Sequence, residues 1–496
     1  MSRGRLVVHG HFYQPWRADP FSGRVPADRS AAPAHDWTAR VSAECYRPNA
    51  ELGNLAHLSW DVGPTLAAWL ESGDSVAYRG FVAGERGVNG LAQPFHHTIL
   101  PLASAADRRV EIRWGLRDFE LRFGRPASGM WLPETAVDLP TLRMLAEAGV
   151  EHTILAPWQA FDPHVDSSRP YRVDLGAGRG IVVALYDAEL SAAVSFDPRA
   201  TADADAFSHD RLEPRLASET HPDDEPPLVV IATDGELYGH HQPFRELFLE
   251  RLLRPRSDGV ARGFDVVPLA EALTEPLGRP FLTIDLAERT SWSCHHGVLR
   301  WSADCGCAPD GRWKAPLRAA LDRLAAGIDV LTEQLADRLP GSPDPWAARD
   351  AYVDVVVGAE APAEFARRWL PDEAVIGAPA GADHAARLYA LMEAQRWRLA
   401  MFTSDGWYWD DPVRPETASV LRAAARAARL IDGLHDGTID RTGATGLERR
   451  LVADLALLAS PGHRVDGAEI YRRALASVGQ PGPGGEPPIR RRGRIS

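Results

Sequence analysis

Over the first 280 residues, short apolar runs ending in polar clusters alternate with stretches whose apolar residues recur at helical spacing. This alternation constrains the fold more than any other feature, because it is the pattern of repeated βα units around a parallel sheet. Leu6 to Val8 leads into the polar and aromatic stretch from His9 to Pro15. Val110 to Phe123 reads as a helix, followed by Gly124, Pro126 and the apolar run Gly129 to Leu132. Pro140 opens a second helix through Ala148, which Gly149 closes before a strand within 150–156. Leu228 to Ala232 is a continuous apolar run of the kind shown by a strand covered on both faces. Residues 197–227, rich in Asp, Ala, Glu and Pro, read as a surface excursion.

From about residue 281 the character changes. A Trp-, Cys- and Gly-rich irregular stretch precedes amphipathic helices, including one that begins at Ala315 and the Ala/Arg-rich 417–431. The sequence therefore divides into an α/β domain over 1–280, a mainly helical domain over 281–478, and a tail over 479–496 with too few apolar groups to order itself. Of the 496 residues, 45% are hydrophobic and 25% charged, which is ordinary for a globular chain. A formal charge of −13 provides no basic field for phosphates, so neither a nucleic acid nor an anionic membrane is an expected partner. No apolar run is long enough to span a bilayer, and the N-terminus lacks the features of a signal peptide. Four cysteines in so long a chain do not make a disulfide scaffold, and a reducing cytoplasm is the expected location. Fifteen tryptophans, as many as the phenylalanines, call for a reason.

Several constellations carry chemistry. Glu134 follows the Met130 to Leu132 run, at the strand end where βα folds place active sites; a helix cap or a solvated carboxylate fits the same position. Asp234 stands likewise after Leu228 to Ala232, and if that strand persists to residue 236, Asp234 and Glu236 share one face. Two nearby carboxylates push one pKa upward, as a general acid requires. His9 and His11 alternate after the first run, so an extended chain turns both to one side. Such a pair can bind metal, bond sugar hydroxyls or sit satisfied in a core, and His240 or Asp234 could complete a metal set. Cys294, His295, His296, Cys305 and Cys307 have the residue types of a zinc site but not a standard spacing. Cys294, Cys305 and Cys307 are thus weak metal candidates beside the alternative of buried thiols in a turned loop.

Three motifs, HGHFYQP, WLPETA and DGELYGHH, occur in that order, each at the end of a run. They resemble the conserved regions of glycoside hydrolase family 57. SAECYRPN, LSWDVGPTL and QPFHHTILPL are similar to an uncharacterised branch, whose C-terminal part is a domain of unknown function. The resemblance implies an incomplete seven-stranded (β/α) barrel and retaining chemistry on α-glucans, mostly α-1,4-linked, with no cofactor. It implies Glu134 as nucleophile and Asp234 as general acid/base, which in a retaining mechanism stand about 5–5.5 Å apart. His9, His11 and Gln14 would hold the sugar, with His97, Glu236 and His240 nearby. Trp131, Trp407 and Trp409 are candidates for stacking on pyranose rings, with Trp407 and Trp409 on a helical region that covers the barrel mouth. The expected partner is an α-glucan or maltooligosaccharide. Amylase, 4-α-glucanotransferase and branching activities remain open. A metal-dependent carbohydrate deacetylase and a non-catalytic glucan-binding protein are the competing readings.

Overall fold

The computed structural model describes residues 3–217, 226–254, 263–273, 280–376, 383–434 and 446–476. The tail expected over 479–496 lies outside these. The chain forms two compact units, one of residues 1–14 and 27–297, the other of 15–26 and 298–496.

The first unit is built on parallel strands. β1 (Gly4–Phe12) lies between β2 (Ser59–Val62) and β7 (Leu228–Asp234), and β2 also pairs with β3 (Gly90–Leu91). A second sheet contains β4 (His152–Leu155), β5 (Tyr171–Gly176), β6 (Arg179–Leu185) and β9 (Leu282–Thr283), in the order β4-β6-β5-β9. β8 (Phe264–Val266) adds to the N-terminal half of β1. The run Gly129 to Leu132, expected as a strand, makes only bridges: Ala92 pairs with Met130 on one side and Gly129 with His152 on the other. Those bridges join the two sheets. On the far side, Asp187 N donates to Val230 O at 2.8 Å, linking the end of β6 to β7. The result, among the described residues, is a ring of seven staves: β1, β2, β3, residues 129–131, β4, β6 and β7. This is the incomplete (β/α) barrel.

Local chemistry explains the elements. Leu6, Val7 and Val8 are all buried because a stave has helices on one side and the barrel interior on the other. The helix Ala105–Phe123 starts where Ser104 accepts from Asp107 N and stops at Gly124, whose φ of 73° suits glycine. The helix Leu139–Glu147 starts at Asp138, which accepts from Thr141 N, with Pro140 in its first turn. The excursion expected over 197–227 is in part a correction. Phe207, Leu212 and Leu216, on short helical turns between Ala204 and Leu216, are fully buried against the β1 side of the core. Acidic and proline residues on the outer side of these turns masked that apolar stripe.

The second unit is helical. Its long members are Lys314–Ala336, His384–Ala400 and Pro415–Leu434, followed by Leu447–Leu455 and Gly467–Ala476. Ala423, Ala424, Ala425, Ala427 and Ala428 are buried, so Pro415–Leu434 presents a face of small side chains that lets neighbouring helices approach closely. Buried Glu393 accepts from Tyr352 Oη at 2.9 Å and from Trp397 Nε1 at 3.2 Å, which satisfies the polar edges of those rings. No helix among the described residues is long and apolar enough to cross a membrane.

Candidate active site

The barrel register brings the N-terminal motif and the Asp234 motif to the same height: His9 lies opposite Ser59, His11 opposite Asp61 on one side and opposite Asp234 on the other. As the period of two requires, both imidazoles point the same way. Asp61 joins them. Its Oδ1 accepts from His9 Nε2 at 2.8 Å, its Oδ2 accepts from His11 Nδ1 at 2.8 Å, and Gln93 Nε2 donates to Oδ2 as well. Burial lowers the pKa of His9, which is neutral. Burial also works against a charge on His11, but contact with Asp61 and the nearby charges of Asp234 and Glu236 prevail and push it up to about 9. Asp61 is held below the usual carboxylate range by the two histidines despite its burial. An imidazolium therefore stands at the centre of the site at neutral pH.

His97 enters from the loop after β3. Glu111, on the helix Ala105–Phe123, fixes that loop by accepting from His96 N and pairing with His96 Nδ1, both at 2.8 Å. The backbone of His97 is left-handed, with φ 56°, a conformation costly for a non-glycine residue and common at functional sites. Its Nε2 lies 3.3 Å from His11 Nε2. Burial and the His11 charge hold His97 well below the usual imidazole pKa, so His11 donates and His97 accepts. Tyr13 stacks on His97 at 3.7 Å between ring centroids. Trp131 is buried and stacks against both His9 and His11 at 5.0 Å, forming a floor beneath the imidazoles.

Glu134 occupies the turn after the 129–131 stave with φ 58°, and Thr135 follows at φ 48°. Two consecutive left-handed non-glycine residues need outside support. The segment that closes this unit provides it: Trp292 N donates to Glu134 O at 3.0 Å, and Val137 N to Thr290 O at 3.1 Å. The same segment reaches the carboxylate, whose Oε2 accepts from Ser293 Oγ at 2.6 Å and Trp292 Nε1 at 3.1 Å. Burial raises the Glu134 pKa, the Asp234 charge adds to this, and the two donors pull the other way.

Asp234 is the last residue of β7 and is exposed. The strand does not persist to 236. A 3-10 turn at Gly235–Leu237 replaces it, so Asp234 and Glu236 do not share a strand face. Gly235 allows this turn because a Cβ there would lie 2.4 Å from the Phe12 ring. Glu236 is buried instead, accepting from Tyr46 Oη at 2.5 Å and Tyr13 N at 3.2 Å. Burial and the Asp234 charge push it up to about 7.

The SAECYRPN motif forms a π-helical turn, Ser42–Tyr46, continued by the helix Arg47–Leu52. It clamps the Asp234 turn. Cys45 Sγ donates to Gly235 O at 3.4 Å, and Asn49 Nδ2 donates to Tyr238 O at 2.8 Å. Gly239, at φ 136°, passes so close that a Cβ would lie 2.2 Å from Glu44 O. His240 is turned aside to Glu44 Oε2, at 2.5 Å. Gln14 has its carbonyl held by Thr65 Oγ1 at 2.6 Å, and its side chain bonds the Tyr46 hydroxyl.

Of the residues expected from sequence, the first unit gathers His9, His11, His97 and Trp131 in one cluster, with Glu134, Asp234 and Glu236 in electrostatic reach of His11. Trp407 and Trp409 belong to the second unit. Trp407 is buried, stacked on Phe402 with Arg318 over its face, and Trp409 is 41% exposed with Arg414 over its ring at 5.0 Å. Sequence reading overlooked Asp61, Gln93, Tyr46 and Ser293. Asp61 had a signal, a lone carboxylate inside the apolar stretch Leu58 to Val62. A metal site at His9 and His11 is not favoured by this donor set. Both ring nitrogens of His9 are engaged, with Ser59 and Asp61, and both of His11, with Asp61 and His97.

Comparison with known proteins agrees with this architecture. Residues 81–258 match the profile of glycosyl hydrolase family 57, and residues 310–478 match a domain of unknown function, DUF3536. A search of curated proteins finds no match. Among solved structures, an exo-type maltose-forming amylase from Pyrococcus sp. ST04 is 16% identical with a TM-score of 0.69, over 95% of this chain and 88% of that one. A branching enzyme from Pyrococcus horikoshii is 16% identical with a TM-score of 0.60, over 98% of each chain. An α-amylase from Thermotoga maritima is 15% identical with a TM-score of 0.58, over 95% and 99%. At these identities the likeness speaks to fold, and the family match adds the sequence. With its seven-stave barrel and those matches, the chain is similar to glycosyl hydrolase family 57 over residues 81–258 and to DUF3536 over residues 310–478.

Proposed function

We propose that this protein is a retaining glycosidase or transglycosylase acting on α-1,4-glucan-type chains, with Glu134 as nucleophile and Asp234 as general acid/base. The observation that carries the assignment is the pair of carboxylates at the ends of two staves, each sensing the cluster around His11, with Glu134 Oε2 held by two donors. That grip leaves Oε1 to attack the anomeric carbon. As the glycosyl–enzyme ester forms, the glycosidic C–O bond breaks and Asp234 gives its proton to the departing oxygen. Asp234 then takes a proton from water or from an acceptor sugar hydroxyl, whose oxygen displaces Glu134. The His11 imidazolium lies where it can balance the negative charge of the site as it changes through these steps. His9, Gln14, His97, Glu236 and His240 would line or support the sugar-binding part. Trp131 acts beneath them, and the exposed indole of Trp409 is suited to stacking on sugar. The known structures of similar fold are named as an amylase, a branching enzyme and a 4-α-glucanotransferase, which favours a glucan substrate. We place the protein in the cytoplasm, where thiols such as those of its cysteines stay reduced.

Incubation with maltoheptaose and chromatography of the products tests this reading. Longer and shorter chains together indicate transfer; glucose and short oligomers indicate hydrolysis. Glu134→Gln must lose several orders of magnitude in turnover while remaining folded. Unchanged turnover in both Glu134→Gln and Asp234→Asn would refute the assignment, and acetate release from an acetylated glycan would redirect it to deacetylation.

A further inference from the structure

The two carboxylates at the stave ends divide the rim of the barrel into two arcs. Around the ring, β1, β2 and β3 lie between Asp234 and Glu134 on one side, and β4 and β6 on the other. The first arc carries the polar cluster of His9, His11, Asp61 and His97. The second carries aromatic rings, Trp158 in the turn Pro157–Gln159 after β4 and Tyr186 directly after β6.

These rings continue the floor beneath the imidazoles out to the surface. Trp131 meets Trp292 at 5.0 Å between centroids, Trp292 meets Tyr186 at 6.3 Å, and Tyr186 meets Trp158 at 5.9 Å, with interplanar angles of 72°, 74° and 90°. Each step is edge to face, an arrangement that ring quadrupoles favour. The row starts at a buried indole and ends at one that is 43% exposed. Trp158 Nε1 donates to Ser291 O at 3.0 Å, so the one polar atom of that side chain is satisfied and what it offers to a ligand is carbon. Tyr186 is 5% exposed, and its hydroxyl bonds no protein group among the described residues. Burial raises its pKa, so the phenol keeps a proton to donate.

The exposed indole is also fixed relative to Glu134. Buried Gln159, next to Trp158, accepts from Ala156 N at 2.8 Å and from Thr135 Oγ1 at 2.9 Å, and donates to Thr135 O at 2.8 Å. Thr135 follows Glu134, so the Trp158 turn and the Glu134 turn are bonded into one piece. Ser291 belongs to the same segment as Trp292 and Ser293, the donors to Glu134 Oε2. A ring held this firmly loses little conformational entropy when a ligand covers it.

We propose, resting on the retaining assignment of Glu134 and Asp234, that Trp158 and Tyr186 form an acceptor-side subsite, where a glucose unit of the leaving or incoming α-glucan stacks on the indole and accepts from the phenol. The sugar joined to Glu134 is held on the polar arc, by His9, His11 and His97. The next unit, linked through the oxygen that Asp234 protonates, crosses between the carboxylates onto the aromatic arc. There the C–H face of a pyranose meets an indole whose polar edge is already bonded.

The test compares α-maltosyl fluoride with maltoheptaose on the full-length protein. Fluoride departs without a sugar, so the first substrate needs no acceptor-side subsite, and kcat/KM compares the transition state with free enzyme and substrate. Trp158→Ala, at an exposed position and checked for folding by circular dichroism, should lower kcat/KM for maltoheptaose about tenfold and leave that for maltosyl fluoride unchanged. Trp158→Phe keeps a ring and should recover most of the loss. Tyr186→Phe should cost maltoheptaose alone about threefold. No loss on maltoheptaose in Trp158→Ala, or a loss shared equally by maltosyl fluoride, would overturn the subsite. Wild type inert toward both substrates, or Glu134→Gln fully active on both, would instead remove the retaining assignment and the subsite with it.

Discussion

Ser293→Ala tests whether the segment around residue 293 sets the ionisation of Glu134. The substitution removes the hydroxyl that donates to Glu134 Oε2 at 2.6 Å and leaves Trp292 Nε1 donating at 3.1 Å. A hydrogen bond to a charged group contributes about 1.5–3 kcal/mol, and about 1.4 kcal/mol corresponds to one pKa unit. Full loss would move the pKa by about one to two units. The remaining indole donor and water entering the partly buried site reduce this, so a shift of about one unit is expected. The hydroxyl favours the ionised form, so its removal raises a pKa already above the ordinary carboxylate value. As the proposed nucleophile, Glu134 would attack only when ionised, and the acidic limb of kcat/KM against pH therefore moves upward. On that limb the variant should be about tenfold slower than wild type, and on the plateau nearly equal. Reducing-end release from maltoheptaose, followed through the acidic range, reads the limb directly. A limb that stays in place in a folded variant would refute the reasoning: either Ser293 does not govern the ionisation or Glu134 is not the titrating group.

The two acidic residues of the Asp234 turn should separate by function. Asp234→Asn should abolish turnover of unactivated glucans, whereas Glu236→Gln, which keeps an acceptor for Tyr46 Oη, should mainly raise KM in steady-state kinetics. His11 stands at about 9 when folded against 6.5 ordinarily, so its contribution to stability is complete below about pH 6.5 and lost as pH rises through about 9. Urea midpoints should fall across that window, and His11→Gln should flatten the fall; parallel profiles would contradict it. Gly239→Ala forces a Cβ toward Glu44 O and a strained backbone, with an expected cost of about 1–3 kcal/mol in urea unfolding and a loss of turnover.

Much of the barrel was legible because each stave is an apolar run bounded by turn residues, as at Leu6 to Val8 and Leu228 to Ala232. The stave at 129–131 was visible as a run, but the sequence could not show that it pairs only through bridges. The placement of Glu134 and Asp234 at stave ends, and of His9 and His11 facing one way, was legible from their position after such runs. Asp61 was not, because its importance lies in long-range pairing with His9 and His11, and one-dimensional spacing does not record that register. Glu236 was placed on the wrong local structure: period two assumes the strand continues, and the contact of Gly235 with Phe12, more than 200 residues away, ends it. Trp131 illustrates a third limit. Its sequence position fitted a sugar platform as well as a buried floor, and only three-dimensional burial distinguishes the two.

The placement of β7 bears on how the protein matures. This stave completes the ring between β1 and β6 and carries Asp234, while the residues that clamp its turn, Cys45 and Asn49, were synthesised about 190 residues earlier. Such long-range closure is slow relative to the formation of local βα units. A chain still emerging from the ribosome can thus assemble the His9–His11–Asp61 cluster before Asp234 is made, whereas the Glu134 turn waits for Thr290, Trp292 and Ser293, which are made later still. If Glu134 and Asp234 are the proposed catalytic pair, competence comes only after ring closure, once residues 290–293 have docked on the Glu134 turn.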